Sequence, residues 1–129
     1  MSHYTLDFGE IIILQDDIAE VIIHEGVEMD DAIVDQYHAF LLMHLQSPFS
    51  LLINKINPYT YTFSAQLKLA NLPQIHAMAV VAYNRVTEMT TESLNNMPRE
   101  YSWNLKVFNN KDVALDWLKA EQGLAAVYE

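Results

Sequence analysis

The stretch KINPYTYTFSAQLKL, Lys55 to Leu69, holds the densest set of groups able to do chemistry. The hydroxyls of Thr60, Thr62 and Ser64 alternate there with the rings of Tyr59, Tyr61 and Phe63. The stretch leaves an apolar run, FSLLIN, and enters a helix-like one. In open α/β sheets, ligands gather beyond the carboxyl ends of parallel strands. The helix that follows offers free N–H groups suited to an anion. A second corner of this kind is Tyr83-Asn84-Arg85, which closes the run AMAVVAY. If the two strands are neighbours, Asn84 and Arg85 face the same opening as Tyr59 and Thr62. A carboxylate or phosphate could then sit between two helix starts and one guanidinium. The candidate ligand- or partner-binding residues are therefore Tyr59, Tyr61, Thr62, Ser64, Tyr83, Asn84 and Arg85. Each also has a purely structural use. Asn57-Pro58 is a turn signal, Thr62 or Ser64 is what any helix start favours, and the rings can simply close the end of a sheet.

Other constellations point away from catalysis. The five histidines form no HExxH or comparable spacing, so no metal site is expected. Asp35 and His38 can share a helix face, whereas His38 and His44 point to different sides. The three glycines, Gly9, Gly26 and Gly123, are too scattered for a phosphate-cradling loop, and no nucleophile elbow occurs. Asp16-Asp17 and Asp30-Asp31 sit at a turn and a helix start, which explains them without acid–base roles. The absence of cysteine removes disulfides, thiol nucleophiles and thiolate metal sites, and fits a reducing cytoplasm. The chain is expected to be no enzyme and to need no cofactor.

Charge is distributed unevenly. The net charge is −10, and no Lys or Arg precedes Lys55, whereas ten acids lie between Asp7 and Asp35. Such a field repels nucleic-acid backbones and anionic lipid, so neither is an expected partner. It could steer a basic partner, or it could simply solvate turns and a helix start. The opening residues lack the basic flank and apolar core of a signal peptide. AMAVVAY, the longest apolar run, is far short of the ~20 residues a spanning helix needs.

These groups must be held by an alternating β/α frame. HYTLDF alternates as a half-buried strand, and Gly9 breaks it. EIIIL and IAEVIIHE flank a three-residue polar turn and read as a hairpin, with Ala19, Val21 and Ile23 on one face; Gly26 ends this unit. Asp30 caps a helix carrying Ile33, Tyr37, Phe40, Leu41, His44 and Leu45 at helical period, closed by Ser47-Pro48. FSLLIN is a short continuous apolar strand, expected where both faces are covered. A second helix runs to about Ala70, AMAVVAY forms the central strand, and Thr87 to Asn96 forms a weaker helix stopped by Pro98. WNLKVF, alternating Trp103, Leu105 and Val107 with polar positions, belongs near an edge. Asn110 caps the last helix, with Ala114, Trp117 and Leu118 inward and Gly123 as its left-handed stop. The fold class is one α/β domain over residues 1–129: a mainly parallel sheet with right-handed crossovers, a leading antiparallel hairpin and four helices.

In this order the elements, and above all NLKVFNNKDVALDWLKAEQ from Asn104 to Gln122, resemble the STAS domains of bacterial anti-sigma-factor antagonists. Their SpoIIAA-like (STAS/SEC14-type) relatives are the closer likeness. The resemblance implies a compact β/α superhelix that binds proteins or small ligands without catalysis. In switch-type members a Ser of an Asp-Ser-Ser-Gly turn is phosphorylated. The matching residues here are Tyr61, Thr62, Phe63 and Ser64, which makes Thr62 the phosphorylation candidate, although the Asp and the Gly are absent. The functional expectation is a regulatory or protein-interaction module, with a carrier of a small apolar or anionic ligand as the alternative. Met78, Met89 and Met97 fit either adaptable pocket lining or core filler. A homodimer is expected only if an apolar face or edge is left uncovered.

Overall fold

The computed structural model describes residues 2–69, 71–95 and 104–128, with side chains left undescribed at 93–95 and 125–128. Ala70, Asn96, Met97, Pro98 and Trp103, named above, lie outside the described residues. The strands are β1 (Ser2–Leu6), β2 (Gly9–Gln15), β3 (Ile18–Ile23), β4 (Glu28–Met29), β5 (Phe49–Asn54), β6 (Thr60–Tyr61), β7 (Ile75–Val81) and β8 (Leu105–Phe108). The helices are α1 (Asp31–His44), α2 (Phe63–Leu69), α3 (Arg85–Asn95) and α4 (Lys111–Tyr128). Six strands form one sheet in the order β1-β2-β3-β5-β7-β8. β1, β2 and β3 are antiparallel; β3, β5, β7 and β8 are parallel. A separate parallel ribbon pairs β4 with β6. Two-residue strands carry no periodicity, so nothing in the sequence announces them.

The pleat divides the core in two. Ala19, Val21, Leu51, Ile53 and Val80 face one side, where they pack with Val34, Tyr37 and Leu41 of α1 and Ala65 of α2. Ile18, Leu52, Ala77, Ala79 and Val81 face the other, against Ala114 and Leu118 of α4. Every residue of β5 is buried because helices cover both of its faces, the physical reason for its unbroken apolar run. Leu52 and Leu118 are fully buried, and each such side chain contributes roughly 1.5–3 kcal/mol. β8 lies at the sheet edge, as its wet face implies.

Helix starts follow their caps. The Asp30 carboxylate accepts the Ile33 N–H at 2.9 Å. Thr62 Oγ1 accepts the Ala65 N–H at 3.1 Å, Asn84 Oδ1 the Thr87 N–H at 2.8 Å, and Asn110 Oδ1 the Val113 N–H at 3.1 Å. Two glycines depart from expectation. Gly9 does not interrupt a strand but opens β2, where an added Cβ would collide with the Ile22 carbonyl oxygen. Gly123 is no stop: α4 continues through it, and among the described residues Gly26 is the one with a positive φ, 79°. An exposed glycine inside a long, well-packed helix costs only about 1 kcal/mol, which does not end it.

Candidate functional site

β5 and β7 are adjacent and parallel, so Asn57 to Thr62 and Tyr83 to Arg85 do emerge at one end of the sheet. The two corners nevertheless divide between its faces. Side chains alternate along a strand. Lys55 keeps the parity of Leu51 and Ile53 and faces α1; Tyr83 keeps the parity of Val81 and faces the α4 side. Tyr83 donates its hydroxyl to Asn54 Oδ1 at 2.8 Å. Asn54 Nδ2 donates to Glu20 Oε2 at 2.9 Å, and Lys111 Nζ meets Glu20 Oε1 at 2.9 Å. This chain of contacts satisfies a buried carboxylate.

On the α1 face lies a cavity of about 40 Å³, against the ~10–15 Å³ that a single water needs. Its floor is the sheet: Val21, Ile23, Ile53, Met78 and Val80. Tyr37 and His38 of α1, Leu69 of α2 and Thr91 of α3 close it from above. The β4–β6 ribbon forms one wall through Met29 and Tyr61, joined by Tyr59 just before β6. That ribbon is held in place by the Gly26 N–H donating to the Pro58 carbonyl and the Thr62 N–H to that of Met29. A short, sequence-silent pairing thus delivers the aromatic residues of the Lys55–Leu69 stretch to the cavity.

The polar groups converge at one end. Lys55 Nζ donates to Thr91 Oγ1 at 3.0 Å and lies 5.6 Å from the centroids of both the Tyr59 and Tyr61 rings. Among the described residues no carboxylate pairs with it. Its half-buried ammonium therefore keeps N–H bonds for another acceptor. Tyr61 donates its hydroxyl to that of Tyr59 at 3.2 Å. Burial pushes the Tyr59 phenol well up, and the neighbouring Tyr61 adds to this. Burial also raises Tyr37. Both phenols consequently stay protonated and able to donate. His38 stands elsewhere on the wall. Its Nε2 is buried without a partner among the described residues, and desolvation holds the ring's pKa down to about 4, Lys68 adding to the effect and Asp35 opposing it.

Of the residues singled out from sequence, Tyr59 and Tyr61 line the cavity. Thr62 caps α2, and Ser64 donates to Asp31 Oδ2 at 2.8 Å. Asn84 caps α3, while Arg85 is exposed on its first turn. The structure does not bring Tyr83, Asn84 or Arg85 to the cavity wall. Lys55, Thr91 and His38 were not among the candidates. Strand parity gives away Lys55, and the position of His38 between Val34 and Leu41 on the apolar stripe gives away the imidazole. His44 has a structural role: it stacks on Phe40 at 4.0 Å, and its Nδ1 lies 3.0 Å from the Phe40 carbonyl. No group of metal-ligating side chains occurs among the described residues, and no helix among them is long and apolar enough to cross a membrane.

The sequence matches no protein-family model and no curated protein. Among solved structures it is similar to an uncharacterised protein of the DUF3478 family with a SpoIIAA-like fold, from Shewanella loihica PV-4. The TM-score is 0.56 over 92% of this chain and 96% of that one, at 21% identity. The likeness carries the fold: this chain is a SpoIIAA-like α/β structure, an antiparallel hairpin leading into parallel strands with four helices.

Proposed function

We propose that this chain is a non-catalytic binding module that takes a small apolar molecule with an anionic head into the cavity on the α1 face. The observation that supports this most is Lys55, a cation that has no carboxylate partner among the described residues and stands at the rim of a largely apolar space. An apolar pocket with a few convergent polar groups is the usual form of a small-molecule site. A carboxylate at the rim would accept from Lys55 Nζ, with the phenols of Tyr59 and Tyr61 beside it, while its hydrocarbon body displaced water from the sheet floor. The same groups lack an activated nucleophile or a base paired with an orienting partner, and so favour binding over catalysis.

The cavity has room for about three waters, so the probe is short: titration calorimetry with butyrate tests the reading, on the wild-type chain and on Lys55→Met. Methionine keeps the apolar stem and removes the charge. A hydrogen bond to a charged group is worth about 1.5–3 kcal/mol, so the variant should bind roughly 10- to 150-fold more weakly. Equal affinity in the two proteins, or no uptake by the wild type, would count against the cavity as the binding site. A protein-interaction role at the same end of the sheet is the second reading. Phe63, Val86 and Met89 support it, being 71%, 74% and 56% exposed there.

A further inference from the structure

β1 is an outer strand of the sheet, and among the described residues nothing pairs with its far side. Its pairing with β2 settles which groups point there. The His24 N–H donates to the Phe8 carbonyl, so Gly9 and Ile23 form a non-hydrogen-bonded pair, and Gly9 turns its own N–H and C=O toward Leu6. The two-residue loop Asp7-Phe8 requires the same arrangement. Leu6, Tyr4 and Ser2 therefore bond β2, while His3 and Thr5 aim their backbone N–H and C=O groups outward. An open row of this kind is a template for another strand, which proteins block with Lys, Pro or a bulge. β1 reads Ser-His-Tyr-Thr-Leu, in unbroken register with β2, and has none of the three.

The flank is open as well. Tyr4 stands on the α1 face, 5.1 Å from the Phe40 ring and 4.9 Å from that of His44. Gln36 and Met43 share Phe40's stripe of α1 and are exposed, Met43 by 78%. Both carboxylates of α1, Asp31 and Asp35, turn the other way, to Ser64 and Lys68. On a chain of net charge −10, this is a margin where a second copy meets no like charge from β1 or α1.

We propose that two copies of this chain pair β1 against β1, antiparallel across a twofold axis, and so run one sheet through both. The outward groups select the register. With His3 opposite the partner's Thr5, every outward N–H and C=O of both strands finds a mate. Tyr4 then lies on the axis opposite the partner's Tyr4, and residues directly opposite share a face. The two phenol rings meet there, each backed by its own Phe40 and His44. A foreign strand could use the same backbone groups but would not bring this ring pair. The inference stands apart from the cavity and does not depend on it.

Size exclusion with light scattering tests it. The wild type should approach twice the 14.8 kDa of one chain as concentration rises. Thr5→Pro removes an outward N–H and spares the bonds to β2, so it should stay folded by circular dichroism and keep the mass of one chain. The chain has no cysteine of its own, so single cysteines report the register. Tyr4→Cys should give a disulfide-linked dimer under mild oxidation. Thr5→Cys should not, because its twofold mate lies diagonally, beyond disulfide reach. In the wild type, the His3 and Thr5 amides should exchange with solvent more slowly as concentration rises. A one-chain mass up to millimolar protein overturns the inference. So does a folded Thr5→Pro protein that still dimerises, or Thr5→Cys cross-linking as readily as Tyr4→Cys. If Thr5→Pro fails to fold, the wild-type amides decide: exchange indifferent to concentration overturns the inference.

Discussion

Removing the Lys111 ammonium should destabilise this chain more than removing the Glu20 charge it meets. Glu20 is buried on the α4 face, its side chain 3% exposed, while that of Lys111 is 47% exposed. In Lys111→Met the carboxylate keeps only the Asn54 amide at 2.9 Å. Stranding a fully buried charge costs about 3–5 kcal/mol; water reaching the vacated Lys111 side lowers this to roughly 2–3 kcal/mol. In Glu20→Gln the amide oxygen still accepts from Asn54, and the ammonium turns out to water, so the loss is about 1 kcal/mol. The helix dipole sharpens the sign. Lys111 is the first residue of α4, where a cation is disfavoured by a few tenths of a kcal/mol, and on that ground alone its removal would stabilise. The double variant should resemble Glu20→Gln, giving a coupling of about 2–3 kcal/mol, the whole of the Lys111→Met loss. Urea unfolding followed by circular dichroism measures all four proteins, with the slopes checked for constancy. Refutation would be a Lys111→Met protein as stable as wild type, or single losses that simply add.

Two further stability measurements follow. His38 has a folded-state pKa near 4 against an ordinary 6.5, so the unfolded chain takes up a proton that the folded one refuses. The neutral ring thus contributes stability that is complete above pH 6.5 and lost as pH falls through about 4, roughly 3 kcal/mol in all. Unfolding midpoints between pH 7 and pH 4 should therefore fall more steeply in wild type than in His38→Gln; parallel profiles would contradict the burial assigned to the ring. Gly9→Ala should cost about 2–3 kcal/mol, because its Cβ would press on the β3 backbone at Ile22 rather than on a movable side chain. A thermal midpoint unchanged from wild type would show that β2 and β3 can separate there freely.

Much of the frame can be read from residue order. The unbroken FSLLIN run announces a doubly covered strand, the alternating WNLKVF an edge, and Asp30 and Asn110 the starts of α1 and α4. These signals are local, so local chemistry decides them. The candidate site was harder, because the pleat splits one rim between two faces. The sheet end shared by Asn57–Thr62 and Tyr83–Arg85 is real, yet Tyr83 turns to Asn54 and Glu20 while Lys55 turns to Thr91. Counting parity outward from Ile53 and Val81 separates them without coordinates. The β4–β6 ribbon is different in kind. Two residues on each side, brought together only by the turn at Gly26 and the Asn57-Pro58 loop, leave no pattern to detect. Gly123 misled for the opposite reason: a strong local stop signal was overridden by α4 packing onto β5 and β7, with Gln122 bonded to Ser50 and the Pro48 carbonyl.

The most direct examination of the binding role is a crystal structure of the chain grown with butyrate. It should place the carboxylate within hydrogen-bonding distance of Lys55 Nζ and the hydrocarbon between the sheet floor and α1, with Tyr59 and Tyr61 still beside the head. Density for the acid only on the outer surface, with Lys55 swung into solvent and the cavity filled by its own side chains, would contradict it.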